Sequence, residues 1–440
     1  MDKGKAVSIA LAVCVLAFAF TWLPAPDLFD VSCILLILLF VPLVAAPGNR
    51  DLRRDPTIML AAGFFLYAVV SIIWHRLTLP EHFPPTTSDR RFLRVLYFIA
   101  IAYTIVQSSR ITVWHLLAAG FSGLLLHLAL TFDLSEWLRA WQGRRVDFSF
   151  QNAQHTGVVF ATCALAFSVF TPRFITWTKD KPPAIRPLYL LCWAAALVFC
   201  IWVVFVSQTR AVWLGLCISL LLLPGILGIA YILRGRSSLS LRKPFLTGVA
   251  GLVILGAVSV HFGWHNLITE RLASEEVTWE SLRQAAAHEE QDLSSIEVRV
   301  ASWSAAVGWI MERPFMGWGG RGSRPLIDHS DLFSEKFKNN FNHLHNSYLQ
   351  VLVEIGFIGA MFIVTLIVLL GRANIGAYQS RRMPLDAFLF SWLFFFFWLV
   401  VNAFESYIIY PSGTYLVAMV TGFFYSFCIQ SSRIPEAEKT

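Results

Sequence analysis

The chain has 440 residues, of which 56% are hydrophobic and only 14% are charged, whereas an average soluble protein carries about 25% charged residues. Apolar runs of about 20 residues, the length that crosses a hydrocarbon core about 30 Å thick, recur twelve times. This composition excludes a soluble globular enzyme. It predicts an all-α polytopic membrane protein.

The net charge of +7 does not indicate a nucleic-acid partner, because Lys and Arg concentrate in the short loops on one side of the predicted spans. This bias places both termini in the cytoplasm of an inner membrane. All seven cysteines lie in apolar runs, so no disulfide framework is expected in the loops. The first apolar run is interpreted as a span and not as a cleaved signal peptide. The predicted spans are 6–23, 31–47, 57–75, 92–108, 112–131, 156–171, 187–206, 211–233, 244–263, 347–371, 386–404 and 413–430.

This pattern divides the chain into three parts. Residues 1–263 hold the first nine spans, 264–345 form one long loop on the periplasmic or outer side, and 346–440 hold the last three spans and a cytoplasmic tail. A connector does not need a loop of about 80 residues, and loops of that length are usually functional. We therefore expect the loop to carry part of an active site.

A helix is predicted inside this loop. Apolar residues recur there at helical spacing, and Pro314 ends the pattern. The stripe consists of Ile296, Val300, Trp303, Val307 and Ile310.

Gly317-x-Gly319-x-x-Gly322 follows that helix and matches the dinucleotide-binding fingerprint literally. It does not follow a strand, which the fingerprint requires. Two interpretations remain: a flexible turn, or a backbone nest that binds an anion beside Arg321.

Arginines occupy unusual places on the outer side. Arg210 follows Ser207-Gln208-Thr209 between spans seven and eight, where the positive-inside rule disfavours a cation. It either extends to the lipid headgroups or is functional. Arg299, near Trp303 on the loop helix, is either a solvated side chain or one half of a two-arginine clamp for a diphosphate.

Two further arginines, Arg139 and Arg145, lie in the 132–155 loop beside tryptophans. They are interpreted either as interfacial anchors or as contacts to a phosphorylated acceptor.

The segment Asn342-His343-Leu344-His345-Asn346 directly precedes the tenth span. Its histidines are either polar groups at the membrane interface or a general base, because imidazole titrates near neutral pH. A metal site is a third reading, but no carboxylate or thiolate stands at a useful spacing. Glu405, at the outer end of span eleven, is placed either to orient a histidine or to pair with an arginine.

His345-Asn346, nine further residues and then Gly356-Phe-Ile-Gly359 resemble the signature of bacterial O-antigen ligases. The flanking Tyr348-Leu-Gln350 and Glu354-Ile-Gly356 resemble the wider superfamily, which includes O-antigen polymerases and protein O-oligosaccharyltransferases. So do Arg210, at the start of a span, and the pattern Arg299…Trp303…Pro314-x-x-Gly317-x-Gly319. These motifs cover about 210–360. Outside them, the likeness rests on twelve spans with one large outer loop.

The resemblance implies a GT-C-like glycosyltransferase. It would move O-antigen glycan from undecaprenyl diphosphate to a sugar hydroxyl of lipid A-core at the periplasmic face, with inversion and without metal, nucleotide or other cofactor. His345 would be the general base, and Arg210 and Arg299 would hold the diphosphate. The remaining residues expected to contact the substrates are His343, Asn346, Gln208, Trp303, Gly319, Arg321, Arg139, Arg145 and Glu405.

Three other functions stay open. A polymerase or a protein O-oligosaccharyltransferase would use the same chemistry on another acceptor. A transporter of lipid-linked sugar would place polar residues at the bilayer midplane and often has repeated halves, and neither feature is visible.

Overall fold

A computed structural model describes residues 3–46, 50–79, 90–108, 110–235 and 295–429. Within these ranges the chain is helical, without a strand. The helices are α1 (Lys3–Thr21), α2 (Pro26–Ala45), α3 (Arg50–Arg53), α4 (Pro56–Thr78), α5 (Arg90–Leu93), α6 (Tyr97–Gln107), α7 (Val113–Leu130), α8 (Leu134–Trp141), α9 (Ala153–Thr178), α10 (Arg186–Val206), α11 (Arg210–Leu233), α12 (Ser295–Glu312), α13 (Ser323–Asp328), α14 (Glu335–Asn340), α15 (Ser347–Gln379), α16 (Leu385–Asn402) and α17 (Pro411–Ser426). Two 3-10 turns span Arg94–Leu96 and Tyr407–Ile409.

Eight of the described helices are long and apolar enough to cross a membrane, namely α2, α4, α7, α9, α10, α11, α15 and α16. A shorter apolar stretch, Ala6–Thr21, lies in α1. The protein is therefore an all-α, multi-pass membrane protein, which confirms the predicted fold class. The predicted span 244–263 lies outside the described residues, as does 264–294 of the long loop.

Long helices pack side by side to form the bundle. The most extensive contacts pair α11 with α16, α9 with α10 and α6 with α17, while α1 packs against both α2 and α7. One large apolar cluster joins these helices. The starts of α9 and α15 meet residues 403–410 at one end of the bundle, and the turn before α11 lies against the start of α9. We call this end of the bundle the site end.

The stretch predicted as a span at 92–108 is helical from 92 to 107, but it is not one uninterrupted α-helix. The chain forms α5, a 3-10 turn and then α6, which has only 11 residues. Arg91, just before this stretch, forms a salt bridge of 3.0 Å with Glu354 of α15, and the residues of α6 from Phe98 to Ile105 are all buried. This part of the chain therefore belongs to the protein interior and not to the lipid.

The loop helix α12 forms as predicted but buries only part of the predicted stripe. Ile310 of the predicted stripe is buried, but Val300 and Val307 are exposed. Val298, Ala306 and Trp309, which lie outside the stripe, are also buried. Because both faces of α12 carry apolar residues, their spacing did not identify the inner face. The buried face belongs to a second, smaller core that also includes Trp318, Leu326, Phe337, Leu344 and Val353.

The glycine-rich turn after α12 lies against α15. Trp318 N–H donates to the carbonyl of Val353 at 2.8 Å, and Gly319 N–H donates to that of Glu354 at 2.9 Å. The turn thus docks on the membrane helix through backbone hydrogen bonds, and this contact accounts for a glycine pattern that only looks like a nucleotide fingerprint.

Two glycines make this docking possible. Gly356 interrupts α15 with φ of +61°, and a Cβ atom there would lie 2.3 Å from Phe315 O. A Cβ on Gly317, which also has positive φ, would lie 2.7 Å from Gly356 N. Only glycine combines this backbone conformation with such a close approach.

We expect Gly356→Ala to lower the stability of the protein in detergent by about 2 kcal/mol or more, because it adds left-handed backbone strain to a steric clash. Gly376→Ala is the matched control, since Gly376 lies in the same helix with open space around its Cβ position. Thermal unfolding of both variants provides the measurement. Equal melting temperatures would contradict the assigned role of Gly356.

Candidate active site

A carboxylate between two histidines forms the centre of the site end. His343 Nε2–H donates to Glu405 Oε1 at 2.6 Å, and His345 Nδ1–H donates to Oε2 at 3.3 Å. The two imidazole rings are 4.0 Å apart, centroid to centroid. Glu405 is 1% exposed. We call these three residues the His–Glu–His group.

The start of α15 fixes the direction of His345. Asn346 caps the helix, because its Oδ1 accepts the N–H groups of Tyr348 at 2.9 Å and Leu349 at 3.1 Å. Asn346 N–H in turn donates to Ser406 Oγ at 3.2 Å. His345, directly before the cap, has φ of +50°, and backbone strain of this kind concentrates at functional sites.

Burial and hydrogen bonding shift the pKa values of Glu405 and His345 so that the two groups differ in charge at neutral pH. Burial raises the pKa of Glu405, but hydrogen bonds from His343 and His345 outweigh burial and hold it well below its usual range. Burial lowers the pKa of His345 below the ordinary 6.5, and the hydrogen bond to Glu405 opposes this shift only in part. At neutral pH the pocket therefore holds an ionised Glu405 beside a neutral His345.

Each histidine uses one ring nitrogen for Glu405, and the two differ in the hydrogen bonding of the other ring nitrogen. His343 Nδ1 lies 2.8 Å from Asn342 Oδ1 and 3.0 Å from the hydroxyl of Tyr410. His345 Nε2 is buried and has no hydrogen-bond partner in the described part of the chain. Leaving a buried polar atom unpaired costs about 1–3 kcal/mol, and such atoms call for a functional explanation. His345 Nε2 is thus the nitrogen available to take a proton.

Two arginines stand around this group. Arg299 Nε–H donates to Phe404 O at 3.2 Å, and its charge lowers the pKa of His345. Arg145 Nε–H donates to Ser207 O at 3.2 Å. Burial and Glu405 raise the pKa of Tyr407, and Arg299 and Arg145 partly oppose them. Both cations therefore act on the same short segment after α16.

The turn before α11 joins this surface. Gln208, with φ of +48°, donates from Nε2 to Gly143 O at 2.7 Å. Thr209 Oγ–H donates to Ala153 O at 3.2 Å. Arg210 is the first residue of α11 and is half-buried. These contacts bring Arg210 to the site end, next to the start of α9.

Of the other residues predicted to bind substrate, Trp303 contacts the histidine segment, whereas Gly319, Arg139 and Arg321 form no hydrogen bond with the histidines in the described part of the chain. Trp303 Nε1–H donates to Leu344 O at 3.0 Å, directly between His343 and His345 in sequence. The N–H of Gly319 is occupied by Glu354, as described above. Arg139 and Arg321 are exposed, and within the described ranges no hydrogen bond or ion pair joins either one to the His–Glu–His group.

Three helix N-termini meet at the site end. Tyr407 O–H donates to Gln154 O at the start of α9, at 3.2 Å. Ser347 Oγ–H, at the start of α15, donates to Glu405 O at 3.0 Å. Together with the start of α11, these ends carry positive dipole charge, which favours an anion beside the arginines.

Sequence reasoning missed two groups at this site. Tyr410 contacts His343, and His155, to which the sequence assigned no role, lies 2.5 Å from Ser412 Oγ with its ring edge-on to Tyr410. Both lie at the polar ends of spans, and that position was the available signal. A polar residue at a span end is also common without any function, so the signal was weak.

The same residues contain a metal-ligand set. One ligand atom each from His343, His345 and Glu405 lies within 4.8 Å of the others, and Glu405 supplies the carboxylate that the local sequence lacked. However, the 2.6 Å between His343 Nε2 and Glu405 Oε1 is a hydrogen-bond distance, whereas two ligands of a tetrahedral zinc ion lie about 3.3 Å apart. The geometry therefore fits a hydrogen-bonded group better.

The fold and the site define a multi-pass membrane protein with a candidate acid–base site at one end of its bundle, surrounded by arginines. Residues 195–364 match a family model described as O-antigen ligase. This match supports a place for the chain in the O-antigen ligase/polymerase superfamily. The matched segment includes Arg210, Arg299 and both histidines but not Glu405. No curated protein matches the chain.

We expect the ring nitrogens of His345 to titrate below pH 6.5, and Glu405→Gln to move that titration to still lower pH. The reason is that the carboxylate raises the pKa of His345 against the effect of burial. The measurement is nitrogen-15 NMR of histidine-labelled protein, with the signal assigned through His345→Gln. Glu136→Gln removes another buried carboxylate, on α8, and is the control. A titration that moves upward in Glu405→Gln would contradict the geometry.

Proposed function

We propose that this protein is an O-antigen ligase that transfers a glycan from undecaprenyl diphosphate to a sugar hydroxyl of lipid A-core. The observation that carries the proposal is His345, whose Nδ1 is held by Glu405 while Nε2 has no partner among the described residues. This arrangement lies in a chain whose residues 195–364 match the O-antigen ligase family model.

This geometry supports the following reaction. His345 Nε2 takes the proton of the acceptor hydroxyl, whose oxygen attacks the anomeric carbon of the donor sugar. The bond from that carbon to the diphosphate oxygen breaks, and undecaprenyl diphosphate leaves with the electron pair. Attack from the face opposite the leaving group inverts the anomeric configuration. Glu405 stabilises the imidazolium that forms, and base catalysis of this kind contributes about 10²–10⁴-fold.

Positive charge faces the leaving group. Arg299, Arg145 and Arg210 stand at the site end with the N-termini of α9, α11 and α15. Guanidinium groups bind phosphate oxygens in pairs, and fixed charges stabilise an anion as it develops. The donor already carries an activated diphosphate, so the transfer needs no nucleotide.

We infer that the reaction proceeds without a metal ion. In the His–Glu–His group both oxygens of Glu405 accept hydrogen bonds from imidazole, and the arginines supply the positive charge that a metal would otherwise bring to the diphosphate. Treatment with a chelator should therefore leave the transfer rate unchanged.

The protein has a cavity that suits the lipid tail of the donor. A space of about 400 Å³ lies between α15, α16 and α17, lined mainly by apolar side chains that include Trp398, Ile408, Val417 and Phe424. Its end at Ile408 is two residues from Tyr410, which contacts His343. A prenyl chain in this cavity would bring its diphosphate to the site end.

The orientation follows from the basic residues of the short loops. We infer an inner-membrane protein with both termini in the cytoplasm and the site end, together with the 264–345 loop domain, in the periplasm. The lipid-linked donor and the lipid A-core acceptor would both reach this face through the membrane.

We expect purified protein with chelator present to transfer glycan from undecaprenyl diphosphate to rough lipopolysaccharide. His345→Ala should lower the rate by about 10²–10⁴-fold, because it removes the base. His329→Ala, an exposed histidine in the same loop, is the control. Gel electrophoresis of the lipopolysaccharide is the measurement.

The other outcomes of this assay identify the other members of the superfamily. Growth of the lipid-linked glycan would indicate a polymerase, and transfer only to an added protein acceptor would indicate an oligosaccharyltransferase. Full activity of His345→Ala would contradict the assigned base.

We expect Val417→Trp, which fills the cavity, to raise KM for the undecaprenyl donor roughly fivefold, the equivalent of about 1 kcal/mol. KM for a donor with a short prenyl chain should not change, because such a chain does not extend past Val417. Val198→Trp, at an exposed position of α10, is the control. An equal rise in KM for both donors would place the lipid tail elsewhere.

A further inference from the structure

Gln350, in the first turn of α15, is fully buried, with both ends of its amide occupied. Its Oε1 accepts the N–H of Leu344 at 3.0 Å and the hydroxyl of Ser406 at 3.3 Å. Its Nε2 donates to Ser323 Oγ at 2.6 Å and to Glu354 Oε1 at 2.7 Å. One side chain thus joins three separate parts of the chain to α15.

The amide oxygen of Gln350 binds both chain segments that carry the His–Glu–His group. Leu344 lies between His343 and His345, so its N–H fixes the backbone that carries both imidazoles. Ser406 follows Glu405, and its own N–H donates to Glu405 Oε1 at 2.8 Å. A single oxygen of Gln350 therefore spans the distance between the histidine segment and the carboxylate segment.

The amide nitrogen of Gln350 is also fixed, because its acceptor Glu354 is itself held in place. Glu354 lies one helical turn further along α15 and is fully buried. Arg91 binds it through both carboxylate oxygens, at 3.1 and 3.0 Å, and Ser323 Oγ–H donates to Oε1 at 2.9 Å. A flipped amide would put the NH₂ of Gln350 against the N–H of Leu344 and its oxygen against a carboxylate. The network therefore permits one orientation.

We propose that Gln350 is a positioning residue, held by Ser323 and Glu354, that sets the separation of His345 from Glu405. His345 Nδ1 is already 3.3 Å from Glu405, near the limit of a useful hydrogen bond. A shift of about 1 Å between the two segments would break it, and misplacement of that size costs about 10²-fold in rate.

The proposal rests on the proposed function only for its kinetic readout. In Gln350→Met the side chain keeps its size but loses the amide. Ser323→Ala is a milder change that frees the donor end alone. Ser219→Ala is the matched control, since Ser219 is equally buried, in α11, and bonds only the backbone of its own helix.

Two measurements are made on the full-length protein. The first is the steady-state rate of glycan transfer, separated into kcat and KM for the donor. The second, which needs no activity, is the rate at which diethyl pyrocarbonate modifies His345, followed by mass spectrometry of the peptides. Melting temperatures identify any variant that fails to fold.

We expect Gln350→Met to lower kcat about 10²-fold with KM nearly unchanged, and Ser323→Ala to lower it less. Modification of His345 should become faster in both variants, because its Nε2 is no longer held in the buried position. If both folded variants keep the wild-type kcat and the wild-type modification rate, the proposal is wrong. Wild-type protein that transfers no glycan would overturn the proposed function instead, while the modification rates would still test Gln350.

Discussion

The structure depends on one buried negative charge. Glu405 is 1% exposed, and an ionised carboxylate removed from water is costly unless hydrogen bonds replace its hydration. Here the replacements are the N–H groups of His343, His345 and Ser406. The two histidines lie 62 and 60 residues before Glu405 in sequence, so satisfying the carboxylate also brings the start of α15 against the end of α16.

A second buried carboxylate, that of Glu354, has a different kind of partner from that of Glu405. Glu354 is paired with Arg91, whose guanidinium keeps its proton at any physiological pH. That salt bridge fastens α15 to the segment that carries Arg91. Glu405 is paired with imidazoles, which gain and lose protons near neutral pH. Gln350 lies between the two carboxylates, so the Arg91–Glu354 salt bridge supports the group whose imidazoles can change their charge.

Hydropathy predicted most spans because lipid-exposed side chains have to be apolar. It was less informative where polar groups face the protein interior, as at Arg91 and at His155, three residues inside α9. The sequence motif identified His343, His345 and Arg299, since these residues lie in or near one recognisable segment. It left Glu405 with two possible roles and gave Tyr410 none, because their contacts join residues more than 60 positions apart. The pattern around Gly319 indicated a turn, and only the backbone of α15 explains why that turn needs glycine.

On the proposed function, the His–Glu–His group takes a proton from a hydroxyl, and an imidazole and a carboxylate do not distinguish one sugar hydroxyl from another. On the proposed function, the choice of acceptor therefore falls to the surface around it. Helix α8 carries exposed apolar side chains at Leu134, Leu138 and Trp141 with an exposed Arg139 between them, a combination that suits the boundary between lipid tails and headgroups. Arg145, a few residues further on, reaches the turn before Arg210 through Ser207. A phosphorylated lipid acceptor lying along α8 would meet these cations on its way to His345, whereas an acceptor without charge would gain nothing from them. If the protein acts as proposed, acceptor selection by charge at this surface and proton transfer at the buried group are separate properties of the same end of the bundle.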